Sequence, residues 1–227
     1  MPVIVVTGCT RGIGYAIARR FEGEYQIVGC GAHPDRVAAV REKHPEWDVE
    51  VYDLSLADQT KAFGAYVLSR YENIDILINN AGAFEQGSLL TESDETFSRM
   101  MRVNLESAYH LTKVIAPRMV AQRSGWIVQM ASVASIRPYP QGGSYAVAKA
   151  ALLAYSRNLR EELKPHQVAV TAILLGPTLT DSWKDAPYPP ERFVKGEAVA
   201  DLLWAIAHLP PGTVVEEILI RPMLGDI

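Results

Sequence analysis

The residues best equipped for chemistry in this sequence are Tyr145 and Lys149, four positions apart in Tyr145-Ala-Val-Ala-Lys149, with Ser132 thirteen residues upstream. Side chains at i and i+4 share one face of a helix, so the spacing puts an ammonium beside a phenol. A phenol has a reference pKa of about 10 and carries protons poorly near neutrality. A neighbouring cation favours the phenolate and brings the pKa down. Tyr145 can then give a proton to a bound oxygen, or take one back, close to working pH. Ser132 can hydrogen-bond that same oxygen and hold it in place. Tyr–Lys pairs also occur by chance on solvated helix faces, so this one gains meaning from what accompanies it.

The accompanying signal lies near the N-terminus. Val3-Ile4-Val5-Val6 reads as a buried parallel strand and runs straight into Thr7-Gly8-Cys9-Thr10-Arg11-Gly12-Ile13-Gly14. Gly8 permits a sharp exit from the strand, Gly12 lets the backbone approach a pyrophosphate, and Gly14 lets the following helix pack closely on the sheet. That helix points its N-terminal N–H groups at the phosphates. A glycine triplet alone is more often an ordinary turn, and the confirming context is its place between a first strand and a helix.

Taken together, these motifs resemble those of the short-chain dehydrogenase/reductase family, in its single-domain form, over nearly the whole chain. Thr7-Gly-x3-Gly-x-Gly14 resembles the family's cofactor loop, and Asn79-Asn80-Ala81-Gly82 its fourth-strand motif. Asn104, Ser132, Tyr145 and Lys149 match its catalytic tetrad in order and spacing. The resemblance implies hydride transfer between a nicotinamide and a carbonyl carbon, with Tyr145 as proton donor or acceptor and Ser132 orienting the oxygen. It implies that Lys149 lowers the tyrosine pKa and bonds the nicotinamide ribose, and that Asn104 props open a helix so that water links the lysine to solvent. It implies a substrate that is a small carbonyl compound or alcohol, and a homodimer or homotetramer paired through the helices at 94–123 and 144–163.

The dinucleotide contacts implied by the same resemblance are Thr7, Gly8, Thr10, Arg11, Gly12, Ile13, Gly14, Asp53, Leu54, Asn80, Ala81, Gly82, Tyr145, Lys149, Gly176, Thr178 and Thr180. Asp53 has two readings: it binds the adenine amino group, or it caps the next helix. Two departures from the family pattern stand out. Leu175-Gly176-Pro177-Thr178-Leu179-Thr180 replaces the usual Pro-Gly after the sixth strand, which bears on how the nicotinamide amide is held. Cys30-Gly31-Ala32-His33 carries neither the acid usual in NAD-preferring members nor the arginine of many NADP-preferring ones. With Arg11 in the loop, NADP(H) is the expected cofactor and NAD(H) the second candidate. A 3-oxoacyl carrier-protein reductase, docking through Arg123 and His166, is one alternative. A dinucleotide-sensing module without turnover is another, disfavoured by the intact tyrosine and lysine.

The elements that must position these groups follow from periodicity. Apolar runs alternate with helical patterns throughout, which predicts an α/β fold: a doubly wound, seven-stranded parallel sheet with helices on both faces, in one domain spanning 1–227. Strands are read at about 3–7, 26–30, 48–52, 74–79, 127–132, 168–175 and 214–220. Helices are read at 12–21, 34–44, 56–71, 94–123, 144–163 and 197–208, with a kink near Ile115 from Pro117. Residues 177–196, with four prolines and Trp183, Tyr188 and Phe193, read as a lid over the substrate. Lys184 and Arg192 are the cations within it. Pocket walls are expected from 83–86, 133–139 and this lid.

Composition narrows the field further. The formal net charge of −4 comes with both signs interspersed and no basic stripe, so nucleic acid is not an expected partner. No window has the roughly 18 apolar residues of a membrane span. A strand begins by residue 3, leaving no space for a signal peptide, and the expected location is cytoplasmic. Cys9 and Cys30 are expected on neighbouring strands as reduced, buried thiols. The five histidines, His33, His44, His110, His166 and His208, show no metal-ligand spacing, and no metal is expected.

Overall fold

The computed structural model describes residues 1–180, 183 and 187–227. Strands and helices alternate in the order β1 (Val3–Thr7), α1 (Gly12–Phe21), β2 (Gln26–Gly31), α2 (Pro34–Lys43), β3 (Asp48–Val51), α3 (Ala57–Arg70) and β4 (Ile76–Asn79). They continue with α4 (Asp94–Met101), a π-helical segment (Arg102–Glu106), α5 (Ser107–Gln122), β5 (Gly125–Ser132), α6 (Gly143–Leu163), β6 (Val168–Leu175), α7 (Gly196–Ala207) and β7 (Glu217–Ile220). The seven strands form one sheet in the order β3-β2-β1-β4-β5-β6-β7, and every pairing is parallel. The order reverses between β1 and β4, which is where ligands of open α/β sheets bind.

Successive side chains of a strand point to opposite faces, and β1 shows what that does here. Ile4 and Val6 join a core with α1, α2 and α7, including Ile17, Phe21, Val37 and Leu203. Val3 and Val5 join a second core with α3, α5 and α6, including Phe63, Leu111, Ile115 and Leu163. A strand buried on both faces reads as an unbroken apolar run, which is why β1 and β6 lie where the sequence places them. Among the described residues, no helix is long and apolar enough to cross a membrane.

Several strand ends and the long helix differ from the reading above: the second strand runs on to Gly31 and the fifth starts at Gly125. The fourth strand starts at Ile76 because the Gln122 amide pairs with both the N–H and the C=O of Ile74, at 3.1 Å each, in place of a strand neighbour. The seventh starts at Glu217, and the Val215 carbonyl accepts instead from the Thr171 hydroxyl at 2.6 Å. The third ends at Val51. The long helix read at 94–123 is interrupted at the π segment, and α5 then runs through Pro117 to Gln122. The interruption belongs to Asn104, as the site geometry shows.

Two glycines of the first turn are compelled by geometry. Gly8 has φ +66°, a left-handed backbone that residues with a Cβ rarely adopt. Gly14 sits where the helix meets the strand exit, and a Cβ there would lie 2.3 Å from the Gly8 carbonyl oxygen and 2.5 Å from Asn80 Nδ2. The first is backbone, and the second is held by its own hydrogen bond to the Thr7 carbonyl at 2.8 Å. Overpacking of this kind costs about 1–3 kcal/mol, so Gly14→Ala should lower the unfolding free energy by that order, read as a lower urea midpoint; an unchanged midpoint would show that the approach of Gly14 to Gly8 and Asn80 is looser than described.

Candidate active site

The carboxyl ends of the strands border one cavity of about 810 Å³. That is within the range of sites for small molecules and cofactors. Its glycine-rich end is lined by Gly8, Thr10, Arg11, Gly12 and Ile13, and its opposite end by Asn104, Ser132, Tyr145 and Lys149. Asp53, Leu54, Asn80, Ala81, Gly82, Gly176, Thr178 and Thr180 lie along it as well. Of the residues singled out by sequence, Thr7 and Gly14 do not line it. Thr7 acts beneath it: its hydroxyl accepts from the N–H groups of Asn80 (2.9 Å) and Ala81 (2.8 Å) and donates to the Ile78 carbonyl (3.3 Å). Asn80 replies by donating its side-chain amide to the Thr7 carbonyl at 2.8 Å.

Asn104 is buried, contrary to the usual place of a mid-helix asparagine on the surface. Its Nδ2 donates to the carbonyls of Ala83 (2.9 Å) and Met100 (3.1 Å), and its Oδ1 accepts from the Ala83 N–H (3.2 Å). The Met100 carbonyl is thus met by a side chain, and the helix widens into the π segment at this point. Single π turns of this kind recur at functional sites. Ser132 ends β5; its hydroxyl accepts from the Ala134 N–H (3.2 Å) and donates to the Leu175 carbonyl (3.3 Å). Ser135 ties this turn to α6 by donating to the Lys149 carbonyl at 2.8 Å.

Lys149 is buried, and its Nζ donates to the Met130 carbonyl at 2.8 Å while lying 5.8 Å from the centre of the Tyr145 ring. Loss of hydration pulls its pKa down to about 8. For Tyr145 the balance differs from the sequence expectation. Burial raises its pKa, and the opposing influence is a hydrogen bond with Ser132 rather than the lysine charge. In the protein without ligand the phenol is therefore protonated near neutrality.

At the glycine-rich end, Asp53 proves to cap a turn rather than a helix. Its carboxylate accepts from the Ser55 N–H at 2.9 Å, while α3 starts only at Ala57 behind Leu56. Arg11, His33 and Arg36 line the cavity together beside Gly31, where a Cβ would come within 2.7 Å of the Thr10 methyl. Cys9 and Cys30 are free and buried, and burial pushes the Cys9 thiol up to about 12. The loop of 177–196 is pinned at its base, where Leu179 and Val194 pair at 2.9 Å and Val194 donates to Pro177. Trp183 stacks on Phe84 at 5.5 Å, and Phe84 meets the Tyr145 ring edge-on at 4.9 Å. Lys184 falls outside the described residues.

Two contributions had no sequence signal. Asp226 and Ile227 border the cavity, with Asp226 held by a two-point ion pair to Arg221 at 2.8 and 3.1 Å. Away from the cavity, ligand atoms of Glu22, His44 and Glu46 lie within 4.8 Å of one another. Both ring nitrogens of His44 are already in hydrogen bonds there, to Glu22 (2.9 Å) and to the Tyr15 hydroxyl (3.0 Å), and Trp47 stacks on the ring.

The depressed lysine has a measurable consequence. Lys149 has its proton in the unfolded chain up to about pH 10.5 but releases it in the fold near 8. Between those values the unfolded state binds the extra proton, so stability rises with pH, by at most about 1.4 kcal/mol per unit. Below pH 8 this contribution is lost. Urea unfolding of the unliganded protein from pH 8 to 10.5 should show a flatter rise in Lys149→Met than in wild type; identical slopes would refute the depressed value.

Comparison with known proteins bears on the family and the fold. The sequence model described as short chain dehydrogenase matches residues 2–189. The uncharacterized oxidoreductase YvrD of Bacillus subtilis is 35% identical over 184 residues, 79% of this chain and 69% of that protein. A 3-oxoacyl-[acyl-carrier-protein] reductase of Thermotoga maritima is 29% identical over 220 residues, covering 90% of this chain and 89% of that one. The crystal structure of a metagenomic short-chain oxidoreductase in complex with NADP superposes with a TM-score of 0.86 at 30% identity, over 98% of this chain and 97% of that chain. The chain is a member of the short-chain dehydrogenase/reductase family of oxidoreductases.

Proposed function

We propose that this protein is an NADP(H)-dependent carbonyl reductase or alcohol dehydrogenase. The observation that carries the reading is the placement of Asn104, Ser132, Tyr145 and Lys149 at one end of a cavity whose other end is a glycine cradle under the N-terminus of α1. The cradle fits a dinucleotide: Gly8 and Gly12 have φ of +66° and +55°, and the first N–H groups of a helix attract phosphate. The bound dinucleotide supplies or accepts the hydride. Ser132 orients the substrate oxygen, and Tyr145 moves the proton at its phenolic oxygen. Lys149 uses one of its donors on Met130, which leaves others to hold a ribose hydroxyl.

Phe84 and Trp183, the latter backed by the buried Phe193, give the substrate end an apolar character. Residues 177–196 are read as its lid, and uncharged or aromatic carbonyls as its substrates. The whole chain serves as one dinucleotide-binding and catalytic domain, and the exposed Tyr109 and Val147 on α5 and α6 support pairing of copies. The Thermotoga relative favours a second reading, reduction of 3-oxoacyl thioesters.

A panel of aromatic and aliphatic ketones and a 3-oxoacyl thioester, followed by loss of reduced-nicotinamide absorbance, tests both readings. Tyr145→Phe should lower turnover by about 10² to 10⁴, the usual worth of general acid catalysis, with little change in cofactor affinity. A phenylalanine variant near wild-type activity would remove Tyr145 from the reaction, and turnover of carboxylate or phosphate compounds alone would reject the apolar-substrate reading.

The cofactor preference rests on Arg11, His33 and Arg36 beside Gly31, with no carboxylate at residues 31–33 to repel a 2′-phosphate. A hydrogen bond to a charged group contributes about 1.5–3 kcal/mol. NADPH should therefore be preferred over NADH by roughly tens-fold at matched substrate, and Arg11→Ala should erase most of that ratio. Equal use of NADH by the wild type would overturn the assignment.

A further inference from the structure

Helix α6, which carries Tyr145 and Lys149, starts without a cap of its own. Its N-cap residue is Gly142, which has no side chain to meet the free N–H groups of the first turn. The missing acceptor comes from a different segment. Glu92 Oε2 accepts from the Ser144 N–H at 3.3 Å, and Glu92 Oε1 accepts from the Ser144 hydroxyl. Ser144 is buried and immediately precedes Tyr145.

The surroundings are shaped to this contact. Gly87 and Gly142 bridge their two loops, with the Gly87 N–H donating to Gln141 at 3.0 Å. A Cβ on Gly143 would lie 2.8 Å from Glu92 Oε2, and one on Gly87 would lie 2.9 Å from it. The turn that presents Glu92 is closed by its own N–H on the Ser88 carbonyl at 2.8 Å. Ser93, the next residue, caps α4 by accepting from the Thr96 N–H at 3.1 Å. Glu92 thus joins the starts of two helices: α4, which runs into the π segment with Asn104, and α6. A carboxylate is also the favourable charge at a helix N-terminus.

We propose that Glu92 is a positioning residue for Tyr145, a cap supplied from outside the helix that sets where the phenol sits relative to Ser132 and Asn104. This rests on the reading of Tyr145 as the proton carrier. Small misplacements of a reacting group cost rate more than binding, up to about 10² for 1 Å.

The test compares Glu92→Ala, Glu92→Gln and Ser144→Ala, with Tyr145→Phe in parallel, using the best ketone of the panel. Glu92→Ala should lower kcat about tenfold or more, with the NADPH Kd within about twofold of wild type. Glu92→Gln should recover most of the loss, because its amide oxygen accepts the Ser144 N–H and its NH₂ donates to the hydroxyl. Ser144→Ala should show a smaller loss in the same direction. Hydrogen exchange of the amides at 143–147 should quicken in Glu92→Ala, a readout that needs no substrate. Wild-type kcat and exchange in Glu92→Ala would overturn the proposal, as would equal loss of kcat, cofactor affinity and folded fraction, or failure of glutamine to rescue. A fully active Tyr145→Phe would instead reject the proton-carrier reading itself.

Discussion

The Thr7 hydroxyl, accepting from the amides of Asn80 and Ala81, is the interaction on which the rest of the site depends. It ties the end of β1 to the chain leaving β4 at the place where strand order reverses. On either side of that seam the connections depart in opposite directions, so a crevice opens above it. Gly14 must then approach the Gly8 carbonyl and the Asn80 amide without a side chain. With that approach made, the first turn of α1 aims its N–H groups into the crevice. The same seam delivers Gly82 to Asn104 and Lys149: a Cβ there would lie 2.9 Å from Asn104 Oδ1 and 3.5 Å from Lys149 Nζ. One buried hydroxyl thus sets both the phosphate end of the cavity and the backbone against which the tetrad packs.

The electrostatics of the tetrad follow from how deep it lies. An ammonium buried with one carbonyl partner is costly, and its depressed pKa records that cost. The phenol beside it is raised by the same loss of water. Burial therefore moves the two pKa values apart, the lysine from 10.5 down to about 8 and the phenol upward from 10, so that each group is pushed toward its neutral form. At Tyr145 burial and the Ser132 hydrogen bond act against one another, and in the ligand-free protein burial prevails.

Features carried by local pattern were legible in the sequence. The runs at Val3–Thr7 and Val168–Leu175, the helix at Gly12–Phe21, and the glycine turn between strand and helix follow from apolar continuity and backbone freedom. The spacing of Asn104, Ser132, Tyr145 and Lys149 resembles a family pattern, and the fold brings the four to one cavity. Features that depend on one side chain meeting a distant backbone were not. Gln122 replaces a strand partner for Ile74, and Asn104 redirects a helix, and neither has a periodic signature. The π segment at Arg102–Glu106 had no such signal, whereas Pro117 lies within the continuous helix α5. Asp53 held a turn, because Leu56 rather than Asp53 stands at the start of α3.

The same distinction separates the parts of this site that bind from the part that tunes. Groups facing the dinucleotide end lie on strand ends and turns fixed by sheet pairing, which varies little once seven strands are in register. The end with Tyr145 and Lys149 is assembled from α4, the π segment and α6, which pack directly on one another. Side chains that cross between segments add to that packing: Asn104 to Ala83, Ser135 to Lys149, and Glu92 to Ser144. Each of these fixes a backbone rather than a reacting atom.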